Sequence, residues 1–321
     1  MSLYSQTDAA IRAANTTVTS ASSSLKPYQK FSDNDSLPWL FGGDASLLFR
    51  ATSFSNWAAG GEDQIGMNPI VNIFYNYKKE KRTLENYGTF AYGFLKTGKN
   101  KAIKSDDRMY FTSKAGRQMS SKLYYTATFM ARTQFSSGYR YSKTDTIRTS
   151  DFMAPLSLFI SAGIDYRPSN SFSFVLSPLM GKATYVRSND PNILATAGML
   201  PKKDNDGNEI KDENGNNVFE RQRHEFGGGA LISFNGNLFK NRISYSSQLD
   251  LFSNYIQKPE NIDVYWTFHT KILLYKNISA DLRFDLKYDD DQKSINDNDG
   301  SLGGPKVQTK NFFGLGLFYQ F

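Results

Sequence analysis

The chain closes on NFFGLGLFYQF, Asn311 to Phe321, in which Phe313, Leu315, Leu317, Tyr319 and Phe321 fall on one face at period two. Phe312, Gly314, Gly316, Phe318 and Gln320 fall on the other face. About ten alternating residues is the length that a tilted β-strand needs to cross the hydrocarbon layer of a bilayer. A soluble sandwich ending on a strand would rarely keep two glycines and an aromatic opposite an unbroken apolar row. The stretch therefore predicts a membrane strand. Such a strand needs a partner on each edge, because lipid offers an open edge nothing to hydrogen-bond.

Composition agrees with that reading. No run of about eighteen apolar residues occurs in the 321, which excludes a transmembrane helix. Mean hydropathy is negative, as befits strands that show lipid only every second residue, and 19 Tyr with 25 Phe suit interfacial girdles. The absence of cysteine removes disulfides and thiolate metal sites. A formal charge of +7 is modest for the length, and the lysines and arginines are scattered without forming one basic stripe, so no nucleic-acid partner is expected. Outer-membrane lipid and lipopolysaccharide are the expected surroundings. An exported barrel needs a leader and Met1 to Leu3 provide none, so the native one is expected to have been replaced.

Residues 1–38, centred on AANTTVTSASSS, read as a flexible periplasmic arm, with a plug inside the lumen as the other reading. From Gly42 the alternation runs to the end, so the barrel is expected over 39–321. Ala45, Leu47, Phe49 and Ala51 oppose Asp44, Ser46, Arg50 and Thr52; Val71, Ile73, Tyr75 and Tyr77 oppose Asn68, Asn72 and Asn76. Phe90, Tyr92 and Phe94 mark a third strand, and Met109 and Phe111 a fourth, facing Tyr110, Thr112 and Lys114. Leu123, Tyr125, Ala127 and Phe129 oppose Tyr124, Thr126, Thr128 and Arg132, and a sixth row runs from Leu156 to Tyr166. Phe172 to Tyr185 has large residues on both faces, which leaves its parity open. The eighth to tenth rows centre on Ile232, Leu249 and Trp266, and the cleanest, Ile278 to Tyr288, sets Asp281, Arg283, Asp285 and Lys287 against six apolar positions. With the last, these make twelve strands: an all-β, single up-and-down antiparallel transmembrane barrel, even-numbered as termini on one side require.

The connections alternate in length. Ser55–Gly66, Lys96–Asp106, Ser136–Ser150, Arg187–Val218 (the longest) and Asp289–Val307 are long, Gln257–Asn261 being shorter than expected in that series. Lys79–Leu84, Gln118–Ser121, Arg167–Ser171 and the turns near Gly236 and at Lys276 and Asn277 are short. Short turns belong to the periplasm and long loops to the outside. A terminal strand ending on an aromatic also resembles the signal by which outer-membrane barrels are recognised for insertion, which implies the barrel-assembly machinery as a partner of Phe313, Leu315, Leu317, Tyr319 and Phe321.

Five stretches carry a family resemblance: SFSNWAAGGEDQIG at Ser53 to Gly66, TQFSSGY at Thr133 to Tyr139, SDFMAPL at Ser150 to Leu156, LSPLMGK at Leu176 to Lys182 and LDLFSNY at Leu249 to Tyr255. Together they resemble an uncharacterised family of Bacteroidota outer-membrane β-barrel proteins known only as a domain of unknown function. The resemblance runs from Gly42 to Phe321 and implies a barrel in that phylum's outer membrane; it brings no activity and no catalytic residue.

Candidates for chemistry begin with the lumen, where Asp44, Arg50, Lys114, Arg132, Glu225, Asp250, Asp263, Lys271, Asp281, Arg283, Asp285 and Lys287 nearly cancel in sign and His269 also points inward. They read either as a polar channel lining or as a paired network that fills the barrel. Twelve strands lie between the filled eight-stranded and the water-filled sixteen-stranded barrel, and both readings stay open. Asn56, Trp57, Gly60, Gly61 and Glu62 form a motif at the extracellular end of the first hairpin, expected to be a structural loop, with ligand contact as the other reading. DNDGNEIKDENGN, Asp204 to Asn216, resembles the start of a calcium loop but lacks the closing Glu, so a projecting polar β-hairpin is expected and no metal or cofactor. His224 and Ser253 share outward parity near the rim of neighbouring strands, where a lipid hydrolase would place a base and a nucleophile, but no acidic orienter accompanies them. The expected function is a narrow channel or transporter for small solutes. The alternative is an occluded barrel anchoring a surface complex through its loops, with the rim hydrolase third.

Overall fold

The period-two rows become strands because each strand has two solvents, lipid outside and a polar lumen within. A computed structural model describes residues 38–53, 63–99, 101–141, 146–169, 171–213, 215, 217–239, 242–292 and 303–321. The N-terminal arm, apart from Pro38, and the motif Asn56, Trp57, Gly60, Gly61 and Glu62 lie outside the described residues.

Chain order is β1 (Trp39–Thr52), β2 (Gln64–Lys79), β3 (Arg82–Thr97), β4 (Ile103–Gln118), β5 (Leu123–Thr133), β6 (Gly138–Tyr141), β7 (Thr146–Ser150), β8 (Leu156–Ser169) and β9 (Phe172–Tyr185). Then come α1 (Pro191–Thr196), β10 (Gln222–Leu238), β11 (Ile243–Asn254), β12 (Ile262–Tyr275), β13 (Ile278–Tyr288) and β14 (Gln308–Gln320). All except β6 and β7 join in one closed antiparallel barrel of twelve strands, in the order β1-β14-β13-β12-β11-β10-β9-β8-β5-β4-β3-β2. The barrel predicted from alternation is therefore the barrel found. Its strands alternate long and short connections, with the long ones all at one end.

Closure depends on the terminal strand. β14 pairs with β1 from Asp44 opposite Gln320 to Phe49 opposite Leu315, and the backbone of Gly43 exchanges hydrogen bonds with that of Phe321 at 2.9 and 3.0 Å. Phe313, Leu315, Leu317, Tyr319 and Phe321 stand exposed on the outer face. Gly316 is required by the close approach of the two strands, since a Cβ there would meet the Leu47 carbonyl and lie 2.7 Å from the Leu48 Cα. Gly316→Val should thus weaken closure by about 1–3 kcal/mol, the usual penalty of overpacking. Heat-modifiable gel migration checks this: the variant should lose its compact band at a lower temperature than the wild type.

Several expectations are corrected. The loop placed at Lys96–Asp106 is shorter, because β3 runs to Thr97 and β4 begins at Ile103, which puts Asp106 inside a strand. Arg167, read as a turn residue, is a buried residue of β8. The parity of β9 is not single. Its inward positions are Ser173, Val175 and Ser177 before a register shift and Met180, Lys182 and Thr184 after it, with Pro178 and Leu179 both exposed. That is a β-bulge, a place in an internal strand where proline's missing N–H is tolerated.

The long loops carry structure of their own. β6 and β7 form a separate two-stranded sheet within 134–155. Between β9 and β10, α1 comes first, and the stretch where a polar β-hairpin is expected carries isolated antiparallel bridges pairing Pro201 with Phe219, Lys203 with Glu209 and Lys211 with Asn217. Asp190 caps α1 by accepting from the Asn192 N–H at 2.9 Å, and Pro191 starts the helix. Ile193, Leu194, Ala197 and Met199 then bury against Ala154, Val186 and Phe219 in a small apolar core outside the barrel.

Candidate functional site

Inward side chains meet across the lumen as well as along the wall. Lys114 on β4 lies 2.9 Å from Asp165 on β8 and 3.2 Å from Glu85 on β3; Arg167 lies 2.7 Å from Asp165 and 2.6 Å from Glu85. Two cations and two carboxylates thus close a square near the short-turn end, with Lys114 and Asp165 almost fully buried. The Ser173 hydroxyl donates to Asp165 at 2.6 Å, and the Arg167 guanidinium lies over the Tyr124 ring. Around the wall at the same end, Lys271 donates to Asp44 and to the Ser46 hydroxyl at 3.2 Å each, while His269 meets Asp281 at 2.9 Å.

At mid-height Tyr110 of β4 and Tyr265 of β12 join through their hydroxyls at 3.2 Å. Five strands intervene between β4 and β12 on either side, so this bond spans the full diameter of the lumen. Arg132 of β5 reaches across to form an ion pair with Asp250 of β11, and its guanidinium lies 4.6 Å from the Tyr265 ring and 5.3 Å from the Phe159 ring. Lys310 of β14 crosses to Asp106 of β4 at 2.7 Å, where Arg108 also pairs. Arg283 pairs with Asp285 at 2.8 Å on the same wall.

Among the described residues, two cavities of the lumen share a wall. The one toward the long loops has a volume of about 200 Å³, and the one toward the short turns about 80 Å³; in the same measure one water needs roughly 10–15 Å³. Tyr110, Arg132 and Tyr265 belong to the walls of both. They form a waist between an outer and an inner chamber. The outer chamber combines apolar Met130, Phe159, Leu231 and Phe252 with Lys182 and Lys287. Lys182 is held by Asp263 at 2.6 Å, Glu225 at 3.4 Å and Asp289 at 3.5 Å, and Lys287 donates to the Gln292 side chain at 2.6 Å.

The mouth above is bounded by the apolar loop core. Arg223 of β10 donates to the Gly198 carbonyl at 2.8 Å and pairs with Glu225 and Asp291 at 3.0 Å each, bringing the turn after α1 to the edge of the lumen. Nearby, Asp290 accepts from Lys258 at 2.8 Å and Asn261 at 2.7 Å; the Lys258 hydrogen bond holds its carboxyl below the ordinary carboxylate value. Arg50 stands exposed at the long-loop end of β1.

The geometry is unkind to hydrolysis. Ser253 sits opposite Gly228, so His224 is four residues, roughly 13 Å, farther along the neighbouring strand. The Ser253 hydroxyl donates to the Pro259 carbonyl at 2.7 Å, and the His224 ring packs edge-on to Tyr185. The Asp204 carboxylate is occupied by the backbone N–H groups of Asp206 and Asn208 at 3.0 and 2.9 Å, as in an ordinary Asx turn. Among the described residues no cluster of three metal-ligating side chains occurs.

Sequence reading passed over Glu85, Asp106, Arg108, Asp165, Arg167, Arg223 and Tyr265. A signal for most of them exists. Asp106 and Arg108, Asp165 and Arg167, Arg223 and Glu225, and Arg283 and Asp285 are each opposite charges two residues apart, and positions i and i+2 of a strand share a face. Tyr265 carries no such mark.

Residues 49–139 match the family model described as a protein of unknown function, DUF3078. The match runs from the end of β1 into β6 and contains the stretches at Ser53 to Gly66 and Thr133 to Tyr139, which fits the resemblance to a domain-of-unknown-function family. No curated protein matches the chain by sequence. Among solved structures, the chain is similar to an outer-membrane channel from Pseudomonas putida F1, at 9% identity and a TM-score of 0.37 over 91% of this chain and 99% of that one. It is also similar to the translocator domain of the autotransporter NalP from Neisseria meningitidis, at 7% identity and 0.34 over 90% of each chain. A third is the β domain of the Bordetella autotransporter BrkA, at 12% identity and 0.33 over 87% of this chain and 98% of that one.

Proposed function

We propose that the protein is a narrow outer-membrane channel for small solutes, closed at a tyrosine-arginine waist, in an envelope of the phylum to which the sequence resemblance points. One observation carries the reading: two cavities lie in succession along the lumen and share Tyr110, Arg132 and Tyr265 as their common wall. A barrel built only as an anchor has no need of two chambers separated by so few side chains. The long loops then face outward and the short turns the periplasm. A solute enters the outer chamber, where apolar walls and charged groups stand together, and passes when the Tyr110–Tyr265 bond parts.

The second reading is an occluded barrel that displays its loops to a partner. It is favoured by the mutual pairing of the lumen charges and by the apolar core formed by α1 and its neighbours. Single-channel recording of the refolded protein in a planar bilayer separates the two. Brief, discrete openings support a gated channel. A silent bilayer from protein with a compact heat-modifiable band, silent also when the waist is trimmed, supports the display scaffold.

A further inference from the structure

The two ends of the barrel differ in charge. At the short-turn end, Lys79, Lys81, Arg82, Arg117, Lys122, Arg242 and Lys276 are exposed, with Glu80 as the acidic residue among these turns. None of the seven makes an ion pair among the described residues. At the opposite end, the loops bear acidic runs such as Asp289, Asp290 and Asp291.

Three of these cations form a row. Lys79 of β2 stands directly opposite Arg82 of β3, and Arg82 directly opposite Arg117 of β4. Residues in register share a face, and this is the lipid face, the one that also carries Tyr75 and Tyr77 on β2, Leu84 on β3 and Phe111 and Ala115 on β4. Side chains directly opposite one another are about 4.5–5.5 Å apart at Cβ, and like charges so placed repel. Two residues farther into the membrane, Tyr77, Leu84 and Ala115 form a second row in the same register, apolar but for the tyrosine hydroxyl, and beyond it come Tyr75, Asn86 and Ser113, the last two joined by a hydrogen bond of 2.8 Å. Trp39 stacks on Tyr75 and packs against Tyr77, each at 4.6 Å between ring centroids, extending the apolar surface sideways.

We infer that Lys79, Arg82 and Arg117 bind the phosphate headgroup of an anionic phospholipid whose acyl chains lie along Tyr77, Leu84 and Ala115. Three cations that make no ion pair among the described residues, although Glu80 lies in the turn beside them, attract an anion from outside, and planar guanidinium groups suit phosphate oxygens. Position selects a lipid over a free ion, because the cationic row and the apolar row lie one step apart, as headgroup and chain do. A net-negative headgroup is preferred to a zwitterionic one, whose own ammonium would add a fourth positive charge. The inference is independent of whether the lumen conducts.

The test uses the full chain folded in a neutral detergent and offered equimolar phosphatidylglycerol and phosphatidylethanolamine, with retained lipid counted by native mass spectrometry and thermal unfolding followed in parallel. Wild type should retain phosphatidylglycerol about ten-fold over its competitor, in keeping with the pull of each basic residue on acidic lipid, and should unfold at a higher temperature once it is added. Arg82→Gln with Arg117→Gln should lose the preference. In lipid-free detergent this variant should unfold at a higher temperature than wild type, because repulsion in the row is relieved. Lys276→Gln, on the same rim but outside the row, should keep the preference. Equal retention by wild type, a preference that survives the double substitution, or displacement of the lipid by millimolar inorganic phosphate would each overturn the inference. Should the double variant fail to give a compact band, Lys79→Gln is read by the same criteria.

Discussion

Replacing Lys114 with methionine should cost the barrel about 3–5 kcal/mol, the range for removing one partner from a buried ion pair. The ammonium is nearly inaccessible and touches both Asp165 and Glu85. Without it, two carboxylates share the single guanidinium of Arg167, and neither can turn to water. Methionine keeps the length of the stem, so the loss is of charge and hydrogen bonds more than of packing. Adding Asp165→Asn should return part of the loss, since the orphaned negative charge is then gone as well. Equilibrium unfolding by urea in lipid vesicles gives the comparison. A single-variant loss below about 1 kcal/mol would mean that the square is wet and behaves as a surface pair.

The second large effect is expected at the waist. Tyr110→Ala combined with Tyr265→Ala removes the hydroxyl bond and both rings that separate the chambers, joining cavities of about 200 and 80 Å³. Single-channel conductance should rise several-fold and openings should lengthen, because the contact that must part in the wild type is no longer made. Arg132 should remain in place through Asp250, although it loses the Tyr265 face against which it stacks. The double variant should therefore become more selective among ions as it becomes more conductive, since a fixed cation and carboxylate then border the narrowest point. No change in a folded double variant would remove the waist from any gating role.

The strands were legible because one face of each meets lipid, which tolerates few exceptions. Ile278, Ala280, Leu282, Phe284, Leu286 and Tyr288 alternate with polar residues without a break, and β13 follows them. β9 was illegible in parity because the bulge at Pro178 and Leu179 shifts the alternation by one residue, so its two halves cancel when read as a single wave. Asp106 and Arg167 were misplaced for another reason: strands extend past the hydrocarbon, and polarity alone marks them as loop. Lys79 and Arg82 stand together in the basic turn KKEKR, but their row with Arg117 was not legible, since Arg117 is distant in sequence and only the register sets it beside Arg82. The loop core escaped notice because the apolar stretch NILATAGML precedes a much longer polar run that set the reading of the insert.

The lumen contacts divide into neighbours along the wall and ties across it, and the second kind has a mechanical meaning. Tyr110 to Tyr265, Arg132 to Asp250 and Lys310 to Asp106 link strands that are far apart around the ring. A hoop held only by its rim flattens under side load; one with spokes keeps its roundness. Lateral pressure from the bilayer is then borne by a few crossing bonds, and the cross-section is set by side-chain length as much as by strand number. On the proposed gate, such a ring would open by releasing one spoke while the others keep the hoop in shape, so that the wall itself would not have to widen.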